Sequence, residues 1–417
     1  MMRLSKIILF PAMIISCISV LGRYDNGTGM GSAKTADIMS EGIKAGEMAV
    51  ETVKTEYIAA VYCAVYEEEM RTNTAGSLGM MRNMIEELGK RGYAAVDSEN
   101  QVDMVNPELV LRFCEAVEAA ERAKLTIVVP ACSGSFTKYD FETEKGDVYI
   151  VRGYYQYENG HMQNRSTAIY SADAWQYTEE GYLMFEGSYY TAESYVLVFS
   201  DEPEYAAFRA APLEEKCREL NRKYILPVGY QMNKLFMTNW SEEDFAGIDF
   251  YDLFDVLYEE ASGQSNPYQM DANPNVGTIY HIPAEEFEGV IMQYFKLDQE
   301  TLRSRTTYLP QEKAYEYRPR GFYELGYTNI PYPEVVDYEE KPDGTLELIV
   351  NVVFPYEKTA KAYSHKVVVR PLQDGGFQYV SNENLTPEED YRIWWYSERL
   401  SEDAWKKTYG EQIKVLR

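Results

Sequence analysis

The stretch that most restricts how this chain can fold is residues 334–383, which reads as four antiparallel strands in sequence order. Lys341-Pro342-Asp343-Gly344 and Gln373-Asp374-Gly375-Gly376 are turn clusters. In such clusters Pro pre-sets a negative φ, Asp bonds its own backbone, and Gly accepts a positive φ. Between the turns Leu346, Leu348, Val350, Val352 and Phe354 fall on one face of a strand, with Glu347 and Asn351 on the other. That period of two requires a sheet with a buried side.

An apolar helical stripe (Phe287, Val290, Ile291, Tyr294, Phe295) precedes this sheet from about residue 284. The same order occurs earlier. Asn106-Pro107-Glu108 opens a helix, with Asn expected to cap it, and β-like runs follow to about residue 199. Further upstream, residues 35–70 and 77–91 read as a helical hairpin stopped by Gly92. The expected fold is therefore α+β: an N-terminal helical hairpin, then two helix-plus-antiparallel-meander modules. By analogy of pattern alone this resembles the NTF2-like or cystatin-like plan. The expected divisions are a signal segment at 1–22, a Gly-rich linker at 23–34, a helical region at 35–104, and modules at 105–230 and 231–417.

The N-terminus carries the most specific signal. Arg3 and Lys6 precede an apolar run at residues 7–16, shorter than the ~20 apolar residues of a spanning helix. Ile14-Ile15-Ser16-Cys17 resembles a bacterial lipobox, so Cys17 is the expected lipidation site and a membrane lipid the expected anchor. The apolar Ile18-Ser19-Val20-Leu21 departs from the usual small polar residues, which leaves ordinary cleavage or a retained anchor as alternatives. Cys63, Cys114, Cys132 and Cys217 read as small buried hydrophobes, although an exported protein could bridge a pair. A net charge of −27 repels nucleic acid and anionic headgroups, which argues against both as partners.

Little in the chain points to catalysis. His161, His281 and His365 have no partner at ligand spacing and read as turn or sheet-edge residues. The loop 271–277 imitates a calcium loop, but its Gly falls one place late and Ile282 stands where the bidentate Glu belongs. Asp249, Asp252, Asp255 and Glu259 read as a solvated helical face, since carboxylates stacked on one face cannot straddle a sugar. Ser133-Gly134-Ser135 lacks the strand–elbow–helix setting of a nucleophile. No cofactor or metal is expected. Tyr315, Tyr317, Arg318 and Arg320 form the one basic-aromatic cluster, and are the candidate surface contact.

Five blocks carry a family likeness: 92–104 (GYAAVDSENQVDM), 112–128 (RFCEAVEAAERAKLTIV), 214–230 (EEKCRELNRKYILPVGY), 240–258 (WSEEDFAGIDFYDLFDVLY) and 365–383 (HKVVVRPLQDGGFQYVSNE). They resemble an uncharacterised domain-of-unknown-function group of lipoproteins and exported proteins in gut Clostridia of the Lachnospiraceae type. The resemblance implies an extracytoplasmic address and transfers no catalytic residue. The expected function is that of a non-catalytic envelope binding or scaffold protein, with a glycan, a small molecule or an envelope protein as partner. A small-molecule-binding lipoprotein is the alternative, and a glycan or peptidoglycan hydrolase ranks behind it.

Overall fold

The computed structural model describes residues 55–188, 203–268, 277–320, 327, 329–410 and 414–416. The signal segment with Cys17, the linker, the run at 194–199 and most of the 271–277 loop lie outside them. The chain forms two compact units, Met1–Pro212 and Leu213–Arg417. The dividing line thus falls between Pro212 and Leu213, ahead of the 230/231 division expected between the two modules.

In the first unit, helices α1 (Thr55–Thr72) and α2 (Leu78–Lys90) form the expected hairpin. Ser77 caps α2 by accepting from the Met80 amide. The short strand β1 (Ala94–Ala95) then pairs in parallel with β2 (Ala123–Ala131). Antiparallel β3 (Ser135–Glu144), β4 (Asp147–Glu158) and β5 (His161–Ser171) complete a five-stranded sheet. Side chains alternate across it. Val128 and Phe136 pack under Ile58, Tyr62, Met84 and Leu88 of the hairpin. Ile127, Tyr139, Phe141 and Ile150 face the other way, onto Phe113 of α3 (Pro107–Glu118) and onto Leu183, Phe185 and Phe208. Those last three come from a second sheet of β6 (Ala174–Tyr177), β7 (Tyr182–Ser188) and β8 (Pro203–Arg209).

Asn106 does not cap α3 as expected. It sits in the left-handed region at φ 52° with no cap bond. Its side chain instead donates to the carbonyls of Gly89 and Tyr93, at 3.0 and 2.8 Å. Asn tolerates this conformation because its amide bonds locally; here it ties the end of α2 to the strand after it.

The second unit has one large core and a small separate cluster of Ile279, Trp405 and Tyr409. It opens with α4 (Glu215–Leu220) running into a π-turn at Asn221–Ile225. The predicted meander is present as β13 (Tyr332–Glu340), β14 (Leu346–Val353), β15 (Ser364–Pro371) and β16 (Phe377–Asn384), with β9 (Trp240–Ser241) on the far edge. Leu348, Val350 and Val352 are fully buried, as the period-two pattern requires. Helices α5 (Phe250–Ser262) and α6 (Ala284–Tyr294) pack on each other. Asp249 caps α5 and Gly263 ends it at φ 68°. A smaller sheet runs β11 (Tyr308–Leu309), β12 (Ala314–Tyr317), β10 (Thr278–Pro283) and β17 (Lys414–Leu416), the first two antiparallel. Helices α7 (Gln299–Ser304) and α8 (Glu402–Tyr409) complete the described elements. Among the described residues no helix is long and apolar enough to cross a membrane.

Leu348→Ala is expected to lower the stability of the second unit by about 2–5 kcal/mol, because it opens a cavity in a close-packed sheet. Leu385→Ala, at a position 46% exposed, should stay within ~0.5 kcal/mol. Urea unfolding of both variants checks the contrast.

Candidate functional site

The acids read from the sequence as a solvated helical face are turned inward. Asp252 of α5 is 1% exposed, and it meets Arg320 and Arg399. Arg320 Nη2 donates to both carboxylate oxygens at 2.9 Å, and its Nε to Oδ1 at 3.1 Å. Arg399 Nε donates to Oδ1 at 2.6 Å, and the Tyr396 hydroxyl to Oδ2 at 2.8 Å. One turn on, Asp255 pairs with Arg399 and accepts from the Tyr317 hydroxyl at 2.6 Å and from Asn266 at 3.1 Å. Burial pushes Asp255 up to about 6, against the pull of Arg399 and Tyr317. Asp249 is occupied as the α5 cap and Glu259 alone is exposed. Two carboxylates and two guanidiniums neutralise one another here. The cluster clamps residues 396–399 and the end of β12 onto α5.

The basic-aromatic cluster is therefore not the surface contact its composition suggested. Tyr315 and Tyr317 are fully buried, because β12 is an interior strand of its sheet and both rings point at the helices. Tyr315 stacks on Phe287 and donates to Glu288 at 2.9 Å. Arg320 is spent on Asp252. Arg318 pairs with Glu316, lies 3.7 Å from Glu402, and sits over the Trp405 ring.

His365 also departs from expectation. It lies on interior strand β15 and is fully buried. Asn382 donates its Nδ2 to the Thr238 carbonyl at 2.7 Å, so its Oδ1 faces His365 Nδ1, also at 2.7 Å. Nδ1 therefore carries the proton, and Nε2 accepts from Tyr230 Oη at 2.7 Å. Burial lowers the imidazole to about 4, against the Asn382 bond. His161 is exposed, and His281 Nδ1 lies 2.8 Å from Glu312.

All four cysteines described are free. Cys114 and Cys217 are buried as expected, but Cys63 is half-buried and Cys132 exposed in the β2–β3 turn. In the first unit Lys138 and Asp140 form a buried pair at 2.8 Å, and Thr126 donates to Asp140. Among the described residues no group of three or more His, Cys, Asp or Glu is placed to hold a metal.

One aromatic group does reach the surface. After β14 the chain turns through a 3₁₀ turn at Pro355–Glu357, closed by a bridge between Phe354 and Thr359. The turn leaves Tyr356 38% exposed and Glu357 exposed. Trp394 and Trp395 are neighbours in the segment that precedes α8. Trp395 is buried on Phe354 and Tyr363, while Trp394 is half-buried. Around Trp394 stand Phe354 at 5.4 Å, Tyr356 at 5.5 Å and Tyr327 at 5.6 Å between ring centroids. Tyr327 meets it at 89° and is 44% exposed. The indole N–H donates to Glu357 Oε1 at 2.7 Å, which fixes the ring.

Residues 49–399 match a family of unknown function, DUF6070. The chain belongs to this family. No curated protein and no solved structure matches it. The family span contains the described hairpin, both sheets of the first unit and the Trp394 segment. It closes on Arg399, the residue that bridges Asp252 and Asp255.

Neither the inward acids nor the buried histidine was found by reading the chain. A usable signal was present: Asp252 and Asp255 flank the apolar Leu253-Phe254 pair on a helix, in a chain with cations at Arg320 and Arg399. Asp252→Ala is expected to cost about 3–5 kcal/mol, since it strands the buried Arg320 guanidinium and leaves Arg399 with Asp255 alone. Glu259→Ala should be near-neutral in the same denaturation assay.

For His365 the unfolded imidazole takes up its proton near pH 6.5 and the folded one near 4. The unfolded chain thus binds more protons across that window, so the histidine's contribution is complete above pH 6.5 and is lost as pH falls towards 4. In full it amounts to about 3 kcal/mol. Asp255, raised in the folded state, acts in the opposite sense between its unfolded value and about 6. Comparing wild type with His365→Gln isolates the histidine: the wild type should lose more stability between pH 6.5 and 4, and parallel profiles would exclude the assignment.

Proposed function

We propose that this chain is a non-catalytic recognition protein of a bacterial cell envelope, held at the extracytoplasmic face by a lipid on Cys17. The observation that carries the recognition role is the ring group in which half-buried Trp394, held by Phe354 and Glu357, meets exposed Tyr356 and Tyr327 on the second unit. Exposed aromatic groups held rigid lose little freedom on binding, so contact area turns efficiently into affinity. The spent state of Asp252, Asp255 and His365 agrees with a non-catalytic role, because each already has internal partners for its lone pairs or protons. The basic residues Arg3 and Lys6, the apolar run and the Ile14-Ile15-Ser16-Cys17 tetrad support the address.

Metabolic labelling with an alkyne fatty acid and cell fractionation test this reading. The wild-type chain should be labelled and sediment with the membrane, and Cys17→Ala should be unlabelled. An unlabelled, cytosolic wild type would overturn the address. Release of reducing ends from peptidoglycan or polysaccharide above the level of buffer would overturn the non-catalytic role.

A further inference from the structure

We infer that the ring group around Trp394 is a binding site for a neutral glycan, an assignment that rests on the recognition role proposed above and names its ligand class. The faces of a pyranose ring present C–H groups, and these pack on the electron-rich faces of indole and phenol. Half-buried Trp394 supplies such a ring at the surface of the second unit, with exposed Tyr356 and Tyr327 each in contact with it. Phe354 backs the indole from the core side, and Glu357 anchors its N–H. One Glu357 oxygen is occupied by that bond; the exposed carboxylate still has lone pairs to accept sugar hydroxyls.

The size and charge of the patch decide among ligand classes. Three rings fall far short of the ~800 Å² per partner of a stable protein interface, whereas they suit a short run of sugar rings. Glu357 stands at the patch, and the exposed run before Trp394 holds three acids, Glu388, Glu389 and Asp390, against one base, Arg392. With a chain charge of −27, that field disfavours uronic-acid polymers and anionic headgroups. A quaternary ammonium would need rings standing apart to enclose it. Here the neighbours of Trp394 touch it at 5.4–5.6 Å between centroids.

Affinity electrophoresis of the full chain in gels containing laminarin, xylan, mannan or starch tests the assignment, with polygalacturonate and choline chloride as the competing classes. At least one neutral polymer should retard the protein, and its hexasaccharide should shift tryptophan emission. Trp394→Ala and Tyr356→Ala should each weaken binding by about tenfold, equivalent to ~1.4 kcal/mol, and Trp394→Phe should retain part of it. Tyr356→Ala removes an exposed ring and leaves the core intact, so it answers the question if Trp394→Ala does not fold.

Retardation by no neutral polymer, wild-type affinity in both alanine variants, or binding of choline or polygalacturonate alone would overturn the glycan assignment. Any of these in a protein that is lipidated and in the envelope would leave the address standing. A wild type absent from the envelope would strike the reading beneath it instead.

Discussion

A carboxylate taken out of water must be matched by donors and by opposite charge, and the second unit is built around meeting that demand at Asp252. A helix of the core delivers the acid, the end of an interior strand delivers Arg320, and the segment before α8 delivers Tyr396 and Arg399. None of these groups is tolerable where it sits without the others, since an unpaired buried charge is among the costliest features a fold can carry. The position of the tail, the exit of β12 and the rotation of α5 therefore depend on one another. Arg399 extends the dependence to Asp255, and through it to Tyr317 and Asn266.

What was legible in the sequence is what local chemistry determines. Alternation and the two Asp-Gly turn clusters gave β13–β16 in order, and Gly92 marked a real helix end. The α+β class followed from the same patterns. What stayed hidden depends on partners far along the chain. Aspartates three apart on a helix look solvated until Arg399 arrives from the other end of the unit. His365 looks like a strand-end residue until Tyr230 and Asn382 enclose it. Tyr315 and Tyr317 have the composition of a binding surface, yet their strand has neighbours on both sides, and composition does not reveal that.

Asp252, Asp255 and His365 are engaged in holding the fold of the second unit, and its two neighbouring tryptophans divide between core and surface. Trp394 and Trp395 are adjacent in sequence and opposite in environment, so one short segment both closes the core and furnishes an outer ring. In the proposed recognition role the acidic body and the fixed indole would act together, the charge disfavouring anions and the ring faces offering the contact.

The reach of the clamp has a consequence for how the protein is made. Asp252 and Arg399 are 147 positions apart, so nearly the whole second unit is synthesised before its charges can be balanced. Contacts of such separation form late, after a large loop-closure cost. A chain threaded N-terminus first through a membrane channel would present α5 to the far side with its acids still hydrated and unable to dock. On the proposed export route, premature packing of the second unit would be disfavoured until residue 399 had followed.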